Sequence, residues 1–329
     1  MVRHRRSTFG WIVAVIGCVL VGLVAWAPAG AGEFPQKGKA LQIVVGYAAG
    51  GPADAGARIL GSGLEKELGT PVVIVNKPGA NGQIGLTALV QAKPDGYTIA
   101  TSNFPGAITT YLETERKPVY NRKSFQPLAL HVSDPNLFAV KTSSPFKTLK
   151  DLVDTTKAKP KGVTFTSGIL NDDQFFILQF QKLAGVQVAQ VSFPQGTAPA
   201  MTAVLGGKVD VFTGNVGDLL SQHKAGEMRI LGIADDQESP FYPGIKTIES
   251  QGYKLIAYSA RGFVLPAGTP KEVVDTLSNA FKKVIASEEH KKRMTEMGLT
   301  LRFMDPVQYA KYWDEYETTV KELMPLTKE

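Results

Sequence analysis

Glycines and small polar residues gather in six stretches whose chemistry suits anion capture better than bond breaking. The first is Tyr47-Ala48-Ala49-Gly50-Gly51-Pro52-Ala53-Asp54, followed by Gly79-Ala80-Asn81-Gly82-Gln83-Ile84-Gly85 and Thr101-Ser102-Asn103-Phe104. Later come Thr166-Ser167-Gly168 with Asn171, then Gln195-Gly196-Thr197, then Thr213-Gly214-Asn215. Glycine lets the backbone approach a ligand, and Pro52 suits the first turn of a helix, where its missing N–H costs nothing. Helix N-termini present unpaired N–H groups and a partial positive charge, so such stretches can hold a carboxylate without a basic side chain. Charge-assisted hydrogen bonds contribute roughly 1.5–3 kcal/mol each. Four or five of them, less ordering costs, suffice for micromolar binding, about 8 kcal/mol. Singly, each stretch has a plainer meaning. Gly50-Gly51 and Asn81-Gly82 are ordinary turns, and Asp54 with Arg58 is an i,i+4 pair that steadies its own helix. Position gives them weight.

Signals for catalysis are poor. Ser144-Pro145-Phe146-Lys147 matches Ser-x-x-Lys, but Pro145 directly after the serine and the lack of accessory motifs mark it as chance. No Gly-x-Ser-x-Gly occurs, and Gly79, Gly82 and Gly85 lack the spacing and downstream acid of a dinucleotide fingerprint. His131, His223 and His290 are far apart and lack metal-ligand spacing. Phe175, Phe176 and Phe180 are simplest as core. Neither a cofactor nor a metal is expected.

The elements that must position these residues alternate. Leu41–Val45, Val72–Val75 and Tyr97–Thr101 are predicted strands, separated by helices over Asp54–Leu68 and Ile84–Ala92. Ala57, Leu60, Leu64 and Leu68 recur at spacings of three and four, and Gly69 with Pro71 closes that helix. The middle repeats the theme. Strands are predicted over Val163–Thr166, Val186–Ser192, Val209–Thr213 and Arg229–Ala234, with helices over Gln174–Leu183, Ala198–Leu205 and Asp218–Ala225. The last third is mainly helical, over Pro270–Ser287, Glu288–Met297 and Pro306–Leu323. Short connections between strands and helices predict parallel sheets covered on both faces. Two α/β lobes follow, the second inserted into the first, with crossings near His131–Val140 and Leu255–Val264. Ligands of open parallel sheets collect at the C-terminal ends of strands, where the six stretches fall.

Arg3, Arg5 and Arg6, an apolar run from Trp11 to Trp26, and Ala29-Gly30-Ala31 form the three-part layout of a secretory signal, with the cut expected after Ala31. The run of 16 residues falls short of the roughly 20 that span a membrane, which leaves an uncleaved anchor as the alternative. Arg5-Arg6 loosely fits a twin-arginine signal, but Phe9 sits one position late. Val15-Ile16-Gly17-Cys18 loosely fits a lipobox, but the chain stays apolar beyond it. Cys18, the single cysteine, leaves with the signal, so the mature chain has no thiol, disulfide or cysteine metal site. Loss of three arginines leaves 33 basic against 30 acidic residues, which is no nucleic-acid footprint. The Lys157-Ala158-Lys159-Pro160-Lys161 run is expected to be a solvated linker.

The stretches IVVGYAAGGPADAGARIL, LGTPVVIVNKPGANGQIG and KPDGYTIATSN, then FPQGTAPAMTAVLGGKVDVFTG, RILGIADDQESPFYPGIKTIESQGY and RGFVLPAGTP, resemble in order the solute receptors of tripartite tricarboxylate transporters, the Bug or TctC-like family. The resemblance spans essentially the whole mature chain. It implies a type II periplasmic-binding-protein fold, in which two parallel-sheet lobes are joined by a two-strand hinge with a ligand cleft between. Boundaries follow at 1–31 for the signal, 37–135 plus 259–329 for lobe I, and 136–258 for lobe II. It implies a monomer that closes on a small organic acid and docks on integral membrane permease subunits.

Carried over residue by residue, Tyr47, Ala48, Gly50, Gly51, Asp54, Asn81, Ser102, Asn103 and Phe104 hold one carboxylate. Thr166, Ser167, Asn171, Gln195, Gly196, Thr197 and Asn215 set specificity, and Asp210 is structural. Gly46 stands where the family usually has proline, a change in rigidity. The family's Gly-Asn/Ser-Gly-Ser and following histidine are replaced by Gly168-Ile169-Leu170-Asn171-Asp172-Asp173-Gln174. Ile169 and Leu170 suit an aromatic or longer ligand, while Asp172 and Asp173 disfavour a second carboxylate or prefer an amine. The alternatives are a periplasmic sensor that presents its ligand to a signalling receptor, and an exported enzyme on the same fold.

Overall fold

A computed structural model of the protein describes residues 34–193 and 196–328. The expected signal segment, Cys18 and Gln195 lie outside the described residues. Strands β1 (Leu41–Val45), β2 (Val72–Asn76) and β3 (Thr98–Phe104) pair in parallel with β1 central. Helices α1 (Pro52–Leu68) and α2 (Gln83–Val90) make the crossovers, and α3 (Gly106–Leu112) follows β3. Helix α1 buries Ala57, Leu60 and Leu64 and ends at Gly69 in the left-handed region, φ 63°, as its spacing predicts.

The chain then enters β4 (Phe125–Lys141), a 17-residue strand that is buried along almost its whole length. Beyond it lie α4 (Leu149–Ala158), β5 (Thr164–Ser167), α5 (Asp172–Ala184), β6 (Ala189–Ser192), α6 (Thr197–Leu205), β7 (Phe212–Asn215), α7 (Leu220–Lys224) and β8 (Met228–Ile233). The return strand is β9 (Tyr258–Pro266), followed by α8 (Lys271–Ala286), α9 (Glu288–Glu296), β10 (Leu301–Met304) and α10 (Pro306–Leu323). At about 3.3 Å per residue, β4 is long enough to serve two sheets. Its segment Phe125–Pro135 pairs with β9, and Asn136–Lys141 pairs with β7 and β8. β4 and β9 occupy the two apolar runs, and β4 changes partners after Pro135, in an α/β periplasmic-binding-protein fold.

The large sheet is mixed rather than purely parallel, while β5 and β6 pair in parallel apart from it. β9 runs antiparallel to both β3 and β4. A two-strand crossing requires this, because one strand leads out and the other comes back. β10 departs from the reading of the last third as mainly helical. It is a four-residue strand on β4, too short for alternation to reveal.

The three largest of five packed clusters hold the elements around the site. Leu41, Ile43, Leu60, Leu277 and Phe281 join β1, α1 and α8. Phe138 stacks on Phe176 with centroids 4.3 Å apart, and Phe165 and Phe180 close around them, so the α5 phenylalanines are core as expected. Trp313 and Tyr309 of α10 meet Phe104 of β3 and also Phe175 and Leu178 of α5. Residues 157–161 are exposed, but Lys157 and Ala158 form the end of α4, so only the turn after it is a linker.

One expectation about the histidines fails. His131 on β4 and His290 on α9 are both buried, and their Nε2 atoms lie 2.8 Å apart. The 159 residues between them conceal a contact made only by packing α9 against β4. Burial, reinforced by Arg293, holds His290 at about 4, and burial, with His290 and Arg261 nearby, holds His131 well below its ordinary value. Between pH 4 and 6.5 the unfolded chain takes up protons that the folded pair excludes. The pair's stabilisation is thus complete above pH 6.5 and declines on acidification by about 1.4 kcal/mol per pH unit for each excluded proton. His290→Gln is expected to be less stable than wild type at pH 7.5, with the gap closing by pH 5 in urea titrations. An equal gap at both pH values would contradict this.

Candidate functional site

The loop after β1 is shaped by one carboxylate. Asp54, almost wholly buried in the first turn of α1, accepts at Oδ2 from the Gly50 N–H and Arg58 Nε, both at 2.9 Å. Its Oδ1 accepts from Asn76 Nδ2 at 2.9 Å, and that amide also reaches the Tyr47 carbonyl at 3.1 Å. Arg58 is the main cause holding the Asp54 carboxyl down at about 2. Gly50 sits at φ +86°, a conformation that strains any residue with a side chain. Asp54 is thus the scaffold of the loop, and its pairing with Arg58 is the helix-steadying contact that the spacing suggested. Asp54→Ala is expected to lower stability by about 1–3 kcal/mol by stranding these donors. An unchanged urea midpoint would contradict this.

The loop is pressed against the start of α2. A Cβ on Gly46 would lie 2.9 Å from the Gly82 Cα, and one on Gly85 would lie 2.8 Å from the Gly46 Cα. The glycines are close-approach residues, with Asn81 presented beside them at φ 57°. The Gly46 N–H also points at Thr101 Oγ1, 3.4 Å away, a contact that proline could not make.

Strand alternation sets the next wall. In the β3–β9 ladder Asn103 lies directly opposite Arg261, which brings their side chains together on one face, with Ser259 two residues along. Asn103 Oδ1 and Arg261 Nη1 are buried without hydrogen-bond partners. The nearest opposite charge to Arg261 is Asp134, at 3.8 Å from Nη2. Ser102 points to the other face. Its hydroxyl is fully buried and engaged 2.6 Å from the Tyr309 hydroxyl.

The facing wall is the N-terminus of α5. Asn171 caps it by accepting from the Gln174 N–H at 3.1 Å. Asp172 Oδ2 accepts from Asn136 Nδ2 at 3.1 Å and from Asn215 Nδ2 at 3.0 Å. Asp173 accepts from Asn171 Nδ2 at 2.9 Å. Burial pushes Asp134 up to about 7 despite Arg261. It also raises Asp173, with Asp172 adding to the effect, and Asp218.

These walls enclose a cavity of about 340 Å³. Of the residues expected from sequence, Tyr47, Ala48, Gly51, Asn81, Asn103, Phe104 and Asn171 line it. Gly50 and Asp54 stand behind the loop they shape. Thr166 is buried, tying β5 to β7 by accepting from the Thr213 N–H at 2.9 Å. Ser167 donates to Gln190 Oε1 at 3.0 Å in a separate groove. Gly196 and Thr197 are exposed at the start of α6, and Asn215 braces Asp172 from behind. Ile169 lies in the Ser167 groove and Leu170 in the core, so neither makes the cavity apolar. Asp210 is structural as expected, accepting from the Thr164 N–H and hydroxyl at 2.8 and 2.7 Å.

Sequence reasoning missed Arg261, Ser259, Pro105 and Gly106, all on the cavity wall. Arg261 overturns the expectation of a cage without a cation. The available signal was a lone arginine inside an apolar crossing strand, a place where burial makes an unpaired charge costly. Among the described residues no group of three or more metal-ligating side chains occurs.

Residues 56–326 match the model of the tripartite tricarboxylate transporter family receptor, TctC. The chain is 29% identical over 331 residues to the UPF0065 protein in the gbd 5' region of Cupriavidus necator, covering 97% of this chain and 95% of that one. It superimposes on a TctC solute-binding protein from Polaromonas with a TM-score of 0.79 at 21% identity, covering 89% and 99% of the two chains. Against MatC from Rhodopseudomonas palustris with bound malate the TM-score is 0.69 at 25% identity, covering 87% and 100%. The family that matches is one of receptors. By its matched length and its fold, the chain belongs to the tripartite tricarboxylate transporter receptor family of periplasmic solute-binding proteins.

Proposed function

We propose that the protein captures a small carboxylate-bearing solute in this cleft and delivers it to the membrane subunits of a tripartite tricarboxylate-type transporter. The observation that carries this reading is the pair Asn103–Arg261, cross-strand neighbours that both line a cavity walled by the loop after β1. A carboxylate there accepts from the Arg261 guanidinium and from N–H groups of the loop and the start of α1. Charged hydrogen bonds in a partly desolvated cleft are strong enough to hold it. The malate bound to MatC supports an organic acid as the ligand class.

Closure joins residues 37–135 plus 259–329 to residues 136–258, with β4 and β9 as the hinge. The chain acts as a monomer and reaches the periplasm by its N-terminal signal. Neither a cofactor nor a metal takes part. Thermal-shift titration with mono-, di- and tricarboxylates, aromatic acids and amino acids tests the reading. Saturation at 100 times Kd is expected to add about 2.7 kcal/mol of stability. Stabilisation only by solutes that lack a carboxylate would overturn it.

A further inference from the structure

We propose that the solute is an amino-carboxylate, its carboxylate at Arg261 and Asn103 and its protonated amine at the Asp172 carboxylate. This rests on the reading above and adds the chemical class of the ligand. Asp172 lines the same cavity as Arg261, from the N-terminus of α5. Its Oδ2 is held by two neutral amides, from Asn136 on β4 and Asn215 on β7, which fixes the carboxylate without cancelling its charge. No described residue donates to Oδ1, and no described lysine or arginine pairs with Asp172. A fixed carboxylate is left facing the cavity.

The surroundings are short of donors. Asn136 is wholly buried and sends Nδ2 to Asp172 and Asp173, while its Oδ1, on the same amide head, has no donor. Asp134 and Asp218 both lie near Arg261, which faces Asp134, and Asp173 sits beside Asp172. An ammonium brings three donors and one positive charge, which is what this wall lacks. A second ligand carboxylate meets the opposite situation. The N-terminus of α5, ordinarily an anion attractor, carries its own acids Asp172 and Asp173 in the first turn. First-turn acids stabilise many helices, but that role does not require two buried asparagines to orient Asp172 at a ligand cavity.

The test is isothermal titration of the purified protein with β-alanine, 4-aminobutyrate, 5-aminovalerate and the α-amino acids of matching length. Each is compared with the amine-free acid and with succinate, malate and glutarate. The best amino-carboxylate is expected to bind at least about tenfold tighter than its amine-free and dicarboxylate counterparts. Asp172→Asn is expected to erase that preference, weakening the amino-carboxylate about tenfold more than its amine-free counterpart. Tighter binding of a dicarboxylate or amine-free acid by wild type overturns the inference but leaves the carboxylate reading standing. A preference unchanged in Asp172→Asn also overturns the amine assignment. Failure of every acid to bind sinks both. The wild-type panel decides alone should the variant fold poorly.

Discussion

Arg261→Gln is expected to weaken binding of the receptor's carboxylate ligand about 100-fold, with the unliganded protein still folded. Arg261 is the cation on the cavity wall, opposite Asn103 in the β3–β9 register. Its Nη1 is buried and unpaired. Removing one partner of a desolvated charge pair costs 2–5 kcal/mol or more, because the other charge is left uncompensated. The lower part of that range already corresponds to the stated loss. The fold should tolerate the change. Asp134, the carboxyl nearest Arg261, sits at about 7 through burial and can take a proton when the arginine leaves. Arg261→Lys is expected to recover only part of the affinity, since an ammonium lacks the guanidinium's planar fork. Calorimetry on both variants reads these losses, and wild-type affinity in Arg261→Gln would discard the site.

Trp313→Ala is expected to cost 3–5 kcal/mol of stability, the range for emptying a large aromatic site. Trp313 is fully buried on α10. It stacks on Phe125 with centroids 5.6 Å apart and meets the edge of Phe104 at 4.8 Å. Its Nε1 donates to the Tyr111 hydroxyl at 3.0 Å, and that hydroxyl donates to the buried Glu317 carboxylate. Truncation therefore opens a void and strips a partner from a buried polar chain. Phe104 borders the proposed ligand cavity, so affinity should fall with stability. Guanidinium unfolding of the variant checks the first effect. A loss below about 1 kcal/mol would mean that the cluster collapses around the gap.

Much of this architecture was legible because local rules agree. Pro52 and the glycines before it mark a helix start beneath a ligand loop, and Asp54 lies four residues before Arg58. Two apolar runs predicted long buried strands, and β4 and β9 occupy them. What escaped notice depends on register or distant packing. Ser102 and Asn103 are adjacent in one strand and must face opposite ways, so they could not both line the cavity. Asn103 does, and Ser102 binds Tyr309. Thr166, Ser167 and Asn215 have the right residue types but are engaged by neighbouring strands or by Asp172. The His131–His290 contact spans two elements that nothing local links. Arg261 was visible as one charge in an apolar strand, but its partner across the ladder was not.

The most direct test is a crystal structure of the receptor saturated with the tightest ligand found by titration. The ligand's carboxylate should lie within about 3 Å of Arg261 and beside Asn103, enclosed by the loop after β1. A solute resting outside that cavity, or one turning a group without anionic oxygen toward Arg261, would contradict the assignment.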